Sequence, residues 1–298
     1  MLTGKLSFIS RIRLPIPRTR KWVIIGLVIL LFIALSGSGA YLVYRRPDSQ
    51  GAQRVARLLP YPAAFVGSRI VWVSEVFAQE RFTATYGEKT NQVIPESPAV
   101  RGEILDHLVE IALVSGETAR HNIQVSQEEI ESSFATIAQQ NGGEEQILAT
   151  LRELYGMSER EFKSLMADQL LIDKFKQEIL VTASVRHILV KDQAKANELV
   201  TKLREGADFA ATAKEFSEDT GSRDAGGSLG FVGRGTTVKP FEDAAFSLEV
   251  GKVSDPVQSE FGWHIILVEE RKGIIDQSYG DWLAEAKANT RIVRLLTR

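Results

Sequence analysis

Residues 22–44, "WVIIGLVILLFIALSGSGAYLVY", contain no ionisable group other than tyrosine. At about 1.5 Å of rise per helical residue, the run is long enough to cross a hydrocarbon core of ~30 Å. A helix that is apolar on every side does not suit an ordinary surface position, so the run divides the chain into parts with different surroundings. Trp22, Tyr41 and Tyr44 stand at its ends, where amphipathic rings favour a membrane interface. Before it, Lys5, Arg11, Arg13, Arg18, Arg20 and Lys21 occur with no acid, which favours a cytoplasmic N-terminus. Arg45, Arg46, Arg54 and Arg57 on the far side weaken that bias. The sequence therefore predicts a basic cytoplasmic tail (1–21), a single transmembrane anchor (22–44) and an extracytoplasmic remainder in a bacterial cell membrane. The small residues of "SGSGA" leave a cleaved signal and a secreted product as the alternative. Either way the folded part lies outside the cytoplasm.

The net charge is −2 and basic residues are not clustered on the folded part, so nucleic acid is not an expected partner. The absence of cysteine excludes disulfides, zinc–thiolate sites and a thiol nucleophile.

Residues 45–61 read as a tether. "AAFVGSRIVWV" then reads as strand broken by a Gly-Ser turn, and helical periodicity dominates to residue 180. Pro98 opens one helix, with an apolar stripe through Ile104, Leu108 and Ile111. Ser126 with Glu129, and Ser158 with Glu161, have the spacing of capping boxes. Ile130, Phe134 and Ile137 face one core, as do Phe162, Leu165, Met166, Leu170 and Phe175. Glu128, Glu129 and Glu131 read as a solvated helix face, and His107 and His121 as surface or packing residues.

At residue 182 the pattern changes to an α+β unit of roughly ninety residues. "TASVRHILV" is a strand, "DQAKANELVTKLREG" a helix closed by Gly206, and "DFAATAKEFSED" a shorter helix. "TGSRDAGGSLGFVGRG" cannot be regular helix, and it lacks the Gly-Lys-Ser/Thr ending of a phosphate loop. A short helix begins at Pro240, and "GKVSDPVQSEFGWHIILVEERK" has the form of a two-stranded hairpin. The final "YGDWLAEAKANTRIVRLL" returns to helix and a terminal strand. Two of the four histidines, His187 and His264, sit inside apolar strands, where a lone histidine is usually a satisfied core residue.

"RHILV", "GADFAATAKEFSED", "GGSLGFVGRG", "KPFEDAAFSLEVGKVSDPV" and "FGWHIILVEE" stand in the order and spacing of a parvulin-type peptidyl-prolyl isomerase. The helical region before them resembles the N-terminal chaperone segment of SurA-, PrsA- and PpiD-like foldases. Hydropathy and these resemblances together give an α+β chain: a transmembrane helix, a linker (45–61), a mostly helical chaperone domain (62–181) and an inserted isomerase domain (182–272). The isomerase domain would be a small antiparallel sheet with surrounding helices. A C-terminal helix and strand (273–298) would return to the chaperone domain.

The resemblance places His187 and His264 on the floor of the active site, with Asp219 and Ser259 as their polar partners. It places the proline pocket at Leu229, Thr237, Phe241 and Phe261. Thr237 stands where the family often has methionine. The expected function is a membrane-anchored foldase that isomerises X–Pro bonds in unfolded or partly folded exported polypeptides. The alternative is a chaperone whose parvulin module only binds peptide. No cofactor or metal is implied: two histidines and an aspartate could ligate zinc, but the family uses them as a hydrogen-bonded network. No HExxH or GxSxG motif supports a hydrolase.

Overall fold

The computed structural model describes residues 37–95 and 97–296, which divide after Tyr61 into two compact units. In the first unit residues 37–45 are helical, and a second helix, α1 (Gln50–Leu58), follows. The Ser49 hydroxyl caps α1 by accepting the Ala52 N–H at 3.1 Å. Ala52 and Ala56 are buried on one side of α1, while Arg54 and Arg57 are exposed on the other. Residues 45–61, expected to be a tether, thus hold a capped amphipathic helix. The expected tail over 1–21 and residues 22–36 of the expected anchor lie outside the described residues. Among the described residues no helix is long and apolar enough to cross a membrane.

The second unit begins with a hairpin, β1 (Pro62–Val66) and β2 (Arg69–Trp72), turned at Gly67–Ser68. Strand β7 (Ile292–Arg294), from the far end of the chain, lies antiparallel against β1, giving the order β2-β1-β7. Helices α2 (Val73–Thr90), α3 (Ser97–Arg120), α4 (Gln127–Gln140), α5 (Glu144–Tyr155) and α6 (Glu159–Lys174) follow the hairpin. Both expected capping boxes form: Ser126 with Glu129 opens α4, and Ser158 with Glu161 opens α6. Phe82, Phe134, Ile147, Leu151, Met157 and Met166 pack into one core among these helices.

Glu129 and Glu131 are more than a solvated face. They reach Lys174 at 2.6 Å and Lys163 at 2.5 Å, tying α4 to α6. The sequence pattern shows only which side of α4 they occupy, not the lysines that α6 brings opposite.

A single π-helical turn (Phe175–Ile179) leads from α6 into β3 (Thr182–Val190). After β3 come α7 (Gln193–Arg204), α8 (Phe209–Phe216), the edge strand β4 (Ser228–Gly233), α9 (Lys239–Ser247), β5 (Val257–Ser259) and β6 (Gly262–Lys272). The strands form an antiparallel sheet in the order β4-β3-β6-β5. One face, with Ile188, Val190 and Ile265, packs on Leu199, Leu203 and Phe209 of α7 and α8. The other, with Val185, Ile266 and Val268, packs on Phe241, Ala245 and Phe246 of α9. Alternation along the strands sends successive residues to opposite faces, so one long apolar run supplies both cores.

The chain leaves the sheet beside the point where it entered. Val181 N–H donates to the Ile275 carbonyl at 2.8 Å, and the N–H groups of Ile274 and Ile275 both donate to the Ile179 carbonyl. Helix α10 (Tyr279–Asn289) then brings Trp282 against Phe175, with ring centroids 4.1 Å apart.

Candidate active site

The register of β3 against β6 pairs His187 with Ile266 and Leu189 with His264. The two histidines are therefore diagonal neighbours on one face of the sheet, the face covered by α9. Their rings lie near parallel with centroids 5.5 Å apart, and their Nδ1 atoms are 3.2 Å apart. Both residues are buried.

The turn after α8 brings up the acid. Ser217 Oγ accepts the N–H groups of Leu189 and Asp219, and Glu218 N–H donates to the Leu189 carbonyl at 2.7 Å. These bonds fasten the turn to the end of β3 and aim Asp219 Oδ2 at His187 Nε2, 2.7 Å away. Ser222, only 2% exposed, adds a hydroxyl that the sequence did not single out. Its Oγ lies 2.5 Å from Asp219 Oδ2 and 3.0 Å from His187 Nε2. The one signal available for it was a hydroxyl residue three places after an aspartate within a turn-forming stretch.

Gly227 completes the support. Its carbonyl accepts the His187 N–H at 2.8 Å, its φ is +78°, and a Cβ there would fall 2.3 Å from the His187 carbonyl oxygen. Only glycine lets β4 begin this close to β3. The glycine pair in this loop thus serves a close backbone approach and not a phosphate.

On the other side, Ser259 Oγ lies 2.7 Å from His264 Nε2 and accepts the Phe261 N–H at 3.0 Å. The Ser222 hydroxyl, the His187 N–H and the Gly221 N–H hold the Asp219 carboxyl down to about 2, so it is ionised and only accepts. Burial, followed by the neighbouring His187, pushes His264 down to about 4. With one proton on each ring, every proton lies between two partners in one arrangement: Ser259 donates to His264, His264 to His187, and His187 to Asp219.

Phe241, 2% exposed, stands edge-on to both imidazoles, with centroids 5.7 Å from His187 and 5.4 Å from His264. The structure thus brings His187, His264, Asp219, Ser259 and Phe241 together. Leu229 is exposed on β4, and Phe261 is exposed at the β5–β6 turn. Thr237 is half-buried in the loop before α9, and its hydroxyl has no hydrogen-bond partner among the described residues. His107 is exposed on α3, and His121 contacts Glu117 at 3.3 Å, so neither joins the site. Among the described residues no group of three or more His, Asp or Glu is placed to hold a metal ion. A polar cleft of about 620 Å³ lies elsewhere, lined by Arg69, Arg120, Trp282 and Asn289 among others, and it contains none of the histidines.

Chemically the site joins an apolar ring wall to a directed chain of hydrogen bonds that ends in the Asp219 carboxylate.

Comparison with known proteins gives two family matches. Residues 17–176 match the SurA-like N-terminal domain, and residues 151–272 match the PPIC-type PPIase domain. Foldase protein PrsA 3 of Bacillus cereus is 33% identical over 209 residues, which are 70% of this chain and 69% of that protein. Foldase protein PrsA 4 of the same organism is 38% identical over 161 residues, covering 53% of this chain and 56% of that protein. A solved peptidylprolyl isomerase (PrsA) from Bacillus anthracis is 28% identical, with 62% of this chain and 86% of that one covered and a TM-score of 0.33.

Proposed function

This chain belongs to the PrsA foldase family, and on that premise we propose that it isomerises X–Pro bonds in exported polypeptides that have not finished folding. The observation that carries the proposal is the contact of Phe241 with both histidines of the Asp219–His187–His264–Ser259 chain.

An X–Pro amide resists rotation by ~18–20 kcal/mol and isomerises over tens of seconds, slowly enough to limit folding. No bond is broken, so catalysis means binding the twisted amide better than either planar form. Twisting removes resonance, which makes the nitrogen more basic and the carbonyl less polar. An apolar wall for the pyrrolidine ring and a site that withdraws water from the carbonyl both favour that geometry. Phe241 supplies the wall, with Leu229, Thr237 and Phe261 completing the pocket. His187 and His264 form a floor whose polarity is fixed by Asp219, Ser222 and Ser259. A rate gain of roughly a thousand- to a hundred-thousandfold needs about 4–7 kcal/mol of such preference.

In this proposal the helical domain (62–181), with residues 273–298 packed on it, holds the client while the isomerase domain (182–272) acts. Residues 22–44 anchor the chain so that both work outside the cytoplasm. Reporter fusions at residues 60 and 290 should both read as exported, whereas a mature N-terminus near Tyr41 would replace the anchor with a cleaved signal.

The deciding measurement is cis–trans exchange of a short peptide with one X–Pro bond in the presence of the purified chain. The wild-type chain should accelerate exchange, and Asp219→Ala and Phe241→Ala should each remove most of the gain. Thr237→Met should raise turnover if the hydroxyl weakens the pocket. A wild-type chain that leaves the exchange rate unchanged sinks the catalytic proposal and leaves a peptide-binding chaperone.

A further inference from the structure

Phe241 sits in the first turn of α9, and its position depends on how that helix and the loop before it are held. Glu242, the next residue, is only 7% exposed, an unusual place for a carboxylate. Its Oε2 accepts the Gly235 N–H at 2.5 Å, which pins the loop carrying Thr237 to the helix carrying Phe241. Its Oε1 lies 3.7 Å from a guanidinium nitrogen of Arg234. Arg234 in turn lies over the Phe246 ring, 4.4 Å from the centroid, on the same helix.

The remaining face of Arg234 is turned to a distant segment. Its Nε and one terminal nitrogen grip both oxygens of Asp276, at 2.6 and 2.9 Å. Asp276 belongs to the stretch that leaves the isomerase domain for α10. Loop and stretch also touch at Gly235, where φ is +79° and a Cβ would come 3.3 Å from Ser278 Cβ. An exposed ion pair alone contributes little. A two-pronged guanidinium–carboxylate grip with a stacked ring and a buried second acid is a fixed geometry.

We propose that Asp276, Arg234 and Glu242 are positioning residues for the isomerase reaction, tying the proline pocket to the segment that joins the two parts of the chain. Arg234 and Glu242 hold the loop and helix that present Thr237 and Phe241, and Asp276 holds Arg234. The inference rests on the proposal that Phe241 receives the proline ring. None of the three touches substrate, so their loss is read in substrate binding: the pocket wall loosens while the histidine network stays intact.

The test uses the full chain and the X–Pro peptide, with KM and kcat measured separately. Asp276→Asn should raise KM about three- to tenfold and leave kcat within about twofold. Asp276→Glu, which keeps the charge, should recover most of the loss. Arg234→Lys, which cannot grip with two prongs, should resemble Asp276→Asn. Asp276 is more than half exposed, so its variants should fold, and equal melting temperatures verify this. An active wild-type chain with unchanged KM in Asp276→Asn overturns this inference alone, as does a fall confined to kcat or a failure of Asp276→Glu to recover binding. An inactive wild-type chain overturns the functional proposal and this inference with it.

Discussion

The Nδ1 atoms of His187 and His264 face each other at 3.2 Å, so a single proton lies between two rings on neighbouring strands. Which ring carries it follows from the far ends of the pair, where Asp219 can only accept and Ser259 has a proton to give. Nitrogen-15 spectra should therefore show His187 protonated on Nε2 and His264 on Nδ1. The opposite assignment would reverse the direction of the whole network.

The same network sets a pH profile. His264 is depressed from 6.5 to about 4, so between those values the unfolded chain holds the extra proton, and stability rises with pH across that window. Asp219 is depressed from 3.8 to about 2, so its contribution is complete above 3.8 and is lost as pH falls toward 2. Isomerisation should be level from neutrality down to about pH 5 and fall near pH 4 as His264 gains a proton. A His264 ring whose own nitrogen-15 shifts report proton uptake near 6.5 would show that it is not desolvated as described.

Ser222→Ala removes the group that does most to hold Asp219 down. A hydrogen bond to a charged group contributes about 1.5–3 kcal/mol; because Asp219 keeps its other donors, about 0.7–2 kcal/mol of this should be lost, a fall in kcat/KM of about three- to thirtyfold. The pH at which Asp219 gains its proton should move upward from about 2. A variant with unchanged kcat/KM would leave Ser222 with a packing role only.

Asp168 on α6 makes a different prediction. Burial, with Glu75 nearby, raises it from 3.8 to about 6, so the folded chain holds the extra proton between those values and stability falls as pH rises through them. Asp168→Asn should stabilise the chain by about 1 kcal/mol at pH 7, after allowance for solvent screening. That corresponds to a melting temperature higher by about 2–4 °C. Below pH 3.8 both side chains are neutral, and the difference should vanish.

Trp282 is 7% exposed and packs on Phe175, while the neighbouring Tyr279 hydroxyl donates to Glu110 of α3 at 2.5 Å. Trp282→Ala should cost about 3–5 kcal/mol. The loss should appear in α3 and the β2-β1-β7 sheet, with the amide spectrum of residues 182–272 largely unchanged. Equal loss of protection in both regions would mean that they unfold as one.

Much of this was legible in the sequence wherever the cause is local. Strand periodicity placed His187 and His264, and the Ser126 and Ser158 caps could be read because a capping box closes within one turn. The Glu129–Lys174 and Arg234–Asp276 pairs could not be read, since only the folded chain brings those residues together. Ser222 was hidden because its hydroxyl acquires a role only once the turn curls back on Asp219. Helix α1 was missed because Pro47, Gly51 and the arginines suggest a tether, while its buried stripe is merely Ala52 and Ala56.

The hydrogen bond from Val181 to Ile275 sets the two ends of residues 182–272 side by side. A short Gly-Ser bridge in place of residues 182–272 should therefore leave the β1–β7 pairing closed. That junction is then a socket. A compact domain whose ends lie equally close should then be accepted there in exchange, with the helical core among Phe82, Phe134 and Met166 unchanged.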